Sequence, residues 1–320
     1  MSYITLGFNR EQQAVALGIY NFYKNSSSTK EINWSLLRRN THRLEKGLIM
    51  KPQKKLFALN YIEETVNEFI KIKEEHDNQT IKWTLNVLEN YFSTVKLNND
   101  LIILKERFDK HKSRFQIIFD TNDKRIFENE PYIPYERKQL INKIKYEDLL
   151  SLAVHRRSVR FFNSTKVEND FIDKALLVAR QAPSACNRIP YKYIIFNDPI
   201  KAADIASIPF GTIGYSQQIP CLAVLVGDLS KFASSRDRHN IYVDGSLSAM
   251  NFIMALETLG LSSCCINWPD FLPLEIKMSK KLKLKKYERV IMLIAIGYPD
   301  KKNKVPYSKK KQINEVREFR

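Results

Sequence analysis

The chain has 320 residues, and its 52 Lys plus Arg exceed 35 Asp plus Glu, for a net charge of +17 at pH 7. Hydrophobic residues at 44% and charged residues at 27% are ordinary globular usage, and the length permits one large or two ordinary domains. No run of 18 or more apolar residues and no basic segment leading into an apolar one occurs, so neither a membrane span nor a secretory signal is expected.

Residues up to about 115 read as almost entirely helical. Leu56, Leu59, Ile62, Val66 and Phe69 fall on one helical stripe, and Ile81, Leu85, Leu88, Phe92 and Val95 on a second. Asp77, Asn78 and Thr80 are candidate caps for that second helix, and Leu101 to Phe115 continues the pattern. The polar passage from Asp120 to Tyr135, with Pro131 and Pro134, reads as a linker.

From Tyr146 the rhythm changes. A helix from about Glu147 to His155 leads into Arg156-Arg157-Ser158-Val159-Arg160, and a second helix runs from about Glu168 to Gln181. Strands are predicted at Tyr191 to Phe196, Pro220 to Val226 and Val290 to Ile296, with a short one at Cys264 to Asn267. A long helix from about Val243 to Leu259 stops at Gly260. Helices interleaved with a few apolar strands indicate a mixed α and β layer fold from 146 to 320, preceded by an all-α region and linker over 1–145.

Three cations and a hydroxyl within five residues suit a phosphate dianion, because guanidinium forks and hydroxyls give several charge-assisted hydrogen bonds. If the chain runs extended there, Arg156, Ser158 and Arg160 share one side. A basic helix end set against the helix dipole explains the same residues equally well. Downstream, Ala182-Pro183-Ser184-Ala185-Cys186-Asn187 stops a helix and presents small polar groups, which suits either a capping turn or the edge of a flat polar ring. None of His42, His76, His111, His155 and His239 has a catalytic or metal-binding spacing. Cys186, Cys221, Cys264 and Cys265 are too few for a disulfide scaffold, and a reducing cytoplasm is the expected location.

The positive charge is split evenly, with 25 of the 52 basic residues before position 146. That spread favours a solvated surface over nucleic-acid binding, which makes a nucleic-acid or membrane-surface binding protein built on the front half the alternative function.

Four segments occur in the order seen in the nitroreductase-like flavoproteins. They are Arg156–Arg160, Ala182–Tyr191, Leu259–Trp268 and Ala295-Ile296-Gly297-Tyr298-Pro299. The rear part, about residues 146–320, resembles that family, and Thr41–Leu48 (THRLEKGL) is similar to a motif of its longer members. The same octet also reads simply as a helix ending near Gly47.

The resemblance implies an α+β fold for residues 146–320, with a central, mostly antiparallel sheet flanked by helices, working as an intertwined homodimer with FMN at the subunit interface. It implies that Arg156, Ser158 and Arg160, with Arg157 beside them, hold the ribityl phosphate, and that Lys309, or Lys310 next to it, reaches it too. Pro183, Ser184, Ala185 and Asn187 would approach the flavin, and Cys265, Ile266, Asn267 and Trp268 would line it. The implied activity is NADH- or NADPH-driven, ping-pong reduction of a small unsaturated or nitro-type acceptor at flavin N5. The protein itself would supply no acid–base residue. Two departures stand out: Ile189 removes a polar side chain common in the family, and Trp268 puts a bulky ring where a small residue is frequent.

Overall fold

The structure is a computed structural model, and it describes residues 8–73, 78–119, 132–136 and 142–320. Most of the expected linker and His76 and Asp77 lie outside the described residues.

The front region is helical, as the periodicity requires. Helices α1 (Asn9–Ser27), α2 (Trp34–Leu48), α3 (Ile62–Ile70), α4 (Asn78–Thr94) and α5 (Asn99–Phe119) follow one another. Their core joins Leu37 and Leu44 to Val66 and Phe69, to Ile81, Leu88 and Tyr91, and to Leu101, Phe108 and Phe115. All five residues of the Ile81 stripe are buried. The Leu56 stripe is only half realised: Leu56 and Leu59 are 41% and 52% exposed, because α3 begins at Ile62 after turns that include Ala58 in the left-handed region.

Thr41–Leu48 lies on α2 and serves as its packing surface. Leu44 is in the core, the Arg43 guanidinium stacks 3.7 Å from the Tyr61 ring centroid, and Gly47 faces the Phe57 ring. A Cβ on Gly47 would lie 2.2 Å from that ring, so any larger residue there would push the Phe57 ring from its place.

The rear region holds one sheet with order β1-β2-β4-β3, every pair antiparallel. The strands are β1 (Tyr191–Phe196), β2 (Cys221–Asp228), β3 (Ser262–Asn267) and β4 (Glu288–Gly297). The two central strands, β2 and β4, read as near-continuous apolar runs because helices and loops cover both faces. One face carries α7 (Asn169–Ala179) and α9 (Asn240–Thr258), whose Ala249, Phe252 and Leu256 meet Ala223, Leu225 and Ile294. The other carries α8 (Pro199–Ala206) and α10 (Leu272–Leu282), two helices the sequence reading did not resolve. Outside these layers lie α6 (Tyr146–His155) and a tail with the single turn α11 (Ile313–Val316).

Helix α1 belongs to the front of the sequence but packs on the rear region. Ala14 and Val15 join Leu229, Phe232 and Ile241 in one buried cluster. Gly18 makes the approach possible, since a Cβ there would sit 2.8 Å from the Leu229 backbone. Arg10 pairs with Asp270, tying the same helix to the start of α10. Among the described residues, no helix is long and apolar enough to cross a membrane.

Candidate active site

Helix α6 ends at Arg156, whose backbone turns extended (φ −56°, ψ 122°). The chain then meets the outer edge of β3: Ser158 bridges Ser263, and the Val159 N–H donates to the Ser263 carbonyl at 3.0 Å. Val159 and Phe162 turn into the core, and Arg160 between them stays half-buried. Arg156, Arg157, Ser158 and Arg160 thereby surround one small cavity of ≈ 100 Å³. The C-terminal tail closes its other side with Pro306, Tyr307, Ser308 and Lys310. Of the two late lysines named from the sequence, Lys310 lines this cavity and Lys309 does not.

The Arg156 Nε is buried without a hydrogen-bond partner, which leaves a charged donor available to an oxyanion. Arg157 is partly committed, donating from Nη1 to the Arg156 carbonyl at 3.0 Å. Arg160 lies beside Tyr215, whose hydroxyl is pushed up to about 12, first by burial and then by the neighbouring Cys264. The donor set and the size of the cavity fit one phosphate group.

Strand β3 continues from that cradle. Its inner residues Cys264, Ile266 and Trp268 are buried, and Cys265 and Asn267 alternate outward. Because the Ser263 carbonyl already points off the sheet edge, strand alternation sends the backbone groups of Cys265 and Asn267 the same way. Ile266 therefore turns its side chain into the core, where it packs with the residues under β4. The Trp268 ring neither narrows the outer face nor points to solvent. It is buried and donates from Nε1 to Glu275, which itself pairs with Arg289 at 3.3 Å. Burial and the adjacent Cys264 push the Cys265 thiol up, which argues against a nucleophilic role.

The Pro183–Asn187 segment forms a strained turn. Cys186, Asn187 and Ile189 all sit in the left-handed region, with φ between 51° and 53°. Three such non-glycine residues in four positions cost on the order of 1–3 kcal/mol each and persist only where surroundings hold them. Three contacts do so. The Ala185 N–H donates to Asp244 Oδ2 on α9 at 2.9 Å, the Ile189 N–H donates to Ser184 Oγ at 3.1 Å, and Arg38 Nε on α2 donates to the Asn187 carbonyl at 2.8 Å. Burial pushes the Asp244 carboxyl up, against the opposing pull of that N–H and of nearby Arg188.

Sequence reasoning missed Arg38 and Asp244 as partners of this turn. Arg38 is 149 positions from Asn187, yet it lies on the same face of α2 as His42 and Glu45 of the Thr41–Leu48 motif. Glu45 receives the Trp83 Nε1–H at 2.8 Å and faces His42 Nδ1 at 3.2 Å. Among the described residues no cluster of His, Cys, Asp and Glu could hold a metal.

The sequence profile of the Nitroreductase family matches residues 153–218 and 217–298. Iodotyrosine deiodinase of Hydra vulgaris is 24% identical over 246 residues, covering 67% of this chain and 87% of its own. A protein of Archaeoglobus fulgidus, provisionally named NADH dehydrogenase/NAD(P)H nitroreductase, is 25% identical over 157 residues, covering 48% of this chain and 86% of its own. The crystal structure of a nitroreductase family protein from Streptococcus pneumoniae superposes with a TM-score of 0.47 at 22% identity, covering 54% of this chain and all of the other. The family match supports an oxidoreductase. The phosphate-sized cradle lies at the start of the stretch that matches the Nitroreductase family, residues 153–298, the antiparallel sheet stands behind it, and the front helices lie outside that match.

Proposed function

We propose that the protein is an FMN-dependent oxidoreductase that takes electrons from NADH or NADPH and delivers them to a small unsaturated or nitro-type acceptor. The observation that carries this reading is the cradle of Arg156, Arg157, Ser158 and Arg160 closed by Lys310, with the partnerless Arg156 Nε inside it. FMN, when bound, would supply the two-electron chemistry, which the protein's own acid–base groups do not provide. The arginines and Ser158 would hold its phosphate, while the outward edge at Cys265 and Asn267 would offer backbone donors to the ring system. Pro183, Ser184, Ala185 and Asn187 would present the strained turn to a flavin of the second subunit. Lys309 stays one residue from the cradle, and Ile266 would act only by holding the strand, with its backbone turned to β4 and its side chain in the core.

A homodimer is part of the proposal. Helix α6 has no buried residue and exposes Tyr146, Leu149, Leu150 and Val154. The outer face of α9 exposes Val243, Leu247 and Met250, and the tail exposes Tyr307, Ile313, Val316 and Phe319. Apolar surface of this extent supports a second copy of the chain as its cover. Residues 1–145 and 146–320 are taken as two units, with α1 as the strap between them.

The test is direct. Purified protein loaded with FMN should show flavin absorption that bleaches on addition of NADH or NADPH and returns with a nitroaromatic or quinone acceptor, with parallel-line kinetics. Halogenated tyrosines belong in the acceptor panel, because one relative carries the name iodotyrosine deiodinase. Protein that takes up no FMN, or FMN that no nicotinamide nucleotide bleaches, refutes the reading.

A further inference from the structure

A second cavity, ≈ 380 Å³ in volume, lies between the front helices and the strained turn. This is the range of small-molecule sites. Its front wall is built by Arg38, Glu45 and Trp83, with the Tyr132 ring beside them, and its rear wall by Arg180 and Gln181 next to Asn187. Neither region forms it alone.

The chemistry of the walls selects a ligand class. Among the described residues, the lining holds two arginines, Arg38 on the front wall and Arg180 on the rear, and one carboxylate residue, Glu45. Both oxygens of that carboxylate are already engaged, Oε1 by the Trp83 indole N–H and Oε2 by His42 Nδ1. Arg38 is held in place by the Asn187 carbonyl, by Thr80 Oγ1 at 2.9 Å and by the Trp83 ring, 5.2 Å from its centroid. Arg180, at the end of α7, is exposed, and its guanidinium makes no ion pair among the described residues. A planar fork of this kind matches a carboxylate bidentately. The indole and phenol rings supply flat apolar surface next to it.

We propose that this cavity binds a small aromatic carboxylate, with Arg180 gripping the carboxylate and the ring lying against Trp83. The site does not require FMN, so it stands or falls separately from the flavin reading. A ligand there touches Asn187, so occupancy bears on the same turn that Arg38 clamps.

The experiment titrates full-length protein, with and without added FMN, with benzoate and 4-hydroxybenzoate, following ligand line broadening by NMR and tryptophan fluorescence. Saturable binding with a Kd on the order of 1 mM or tighter is expected, with neutral benzyl alcohol and inorganic phosphate at least about ten-fold weaker. Arg180→Gln, an exposed substitution, should weaken benzoate binding by about ten-fold or more, and Trp83→Phe should retain binding with reduced fluorescence change. Arg156→Gln, in the other cavity, should leave benzoate binding unchanged. No saturable benzoate binding, equal binding of benzyl alcohol or phosphate, or binding indifferent to Arg180→Gln would each overturn the proposal.

Discussion

Replacing Arg38 by glutamine should loosen the turn at 184–189 while leaving the rear sheet intact. The Arg38 Nε–Asn187 carbonyl bond, at 2.8 Å, is a charge-assisted contact between α2 and the backbone of a left-handed residue. Losing a hydrogen bond to a charged group costs about 1.5–3 kcal/mol, so local opening of the turn should become roughly ten- to hundred-fold more frequent. The amides that report it are Asn187, bonded to the Ser184 carbonyl at 2.9 Å, and Ile189, bonded to Ser184 Oγ. Hydrogen exchange of a peptide spanning 184–190 should therefore accelerate by that factor. A peptide from β2, whose residues 221–227 are fully buried, should exchange as before. Arg38→Lys should recover only part of the protection, because an ammonium lacks the fixed fork that reaches Asn187 and Thr80 together. Unchanged exchange at 184–190 in Arg38→Gln would refute the idea that the front helices hold this turn.

Lys310→Ala should weaken FMN retention about ten-fold or more, by the same figure for a charged hydrogen bond, while Lys309→Ala should not, as read by flavin fluorescence on dialysis. Gly18→Ala should lower the melting temperature through overpacking of about 1–3 kcal/mol against the Leu229 backbone, and an unaltered melting temperature would disprove the close packing of α1. Alkylation of Cys265, exposed on the outer side of β3, should be slow near neutral pH and accelerate as pH rises past the ordinary thiol range, because desolvation by the surrounding protein and the adjacent Cys264 raise its thiol, and bound FMN should protect it. Asp244→Asn should flatten one part of the acid stability profile. A carboxyl raised by burial stabilises the fold fully below its unfolded pKa and loses that contribution as pH rises through the folded one, whereas the amide keeps an acceptor for the Ala185 N–H without titrating.

How far these features could be read beforehand depended on how local their cause is. The Ile81 stripe and the strands at Tyr191, Cys221 and Glu288 were legible because apolar spacing decides them; the stripe and the two central strands are buried, while the edge strand at Tyr191 is only half-buried. The long helix stops where Gly260 stands, and the Leu261 N–H returns to the Leu256 carbonyl at 3.0 Å. Leu56 and Leu59 kept the helical period but sit outside α3, because Ala58 in the left-handed region breaks the path. Helix α10 escaped notice because its lysines, Lys277, Lys280 and Lys281, obscure a face that only Met278 and Glu275 bury.

The site divides along the same line. Arg156, Ser158 and Arg160 converge because the extended chain after α6 alternates its side chains, a rule that needs no knowledge of the rest of the fold. Lys310 joins them only because the tail returns from β4, so a count of residues could not separate it from Lys309. The turn at Ala185–Ile189 is the extreme case. Its residues Cys186, Asn187 and Ile189 have no glycine among them to announce left-handed backbone. What stabilises that conformation comes from Asp244, 59 positions on, and Arg38, 149 positions back. Strain of several kcal/mol, held by two distant charged side chains, would be selected against in a segment with no task. The clamp therefore makes the front helices part of the site's construction, since without α2 the Asn187 carbonyl loses its charged partner and the second cavity loses a wall.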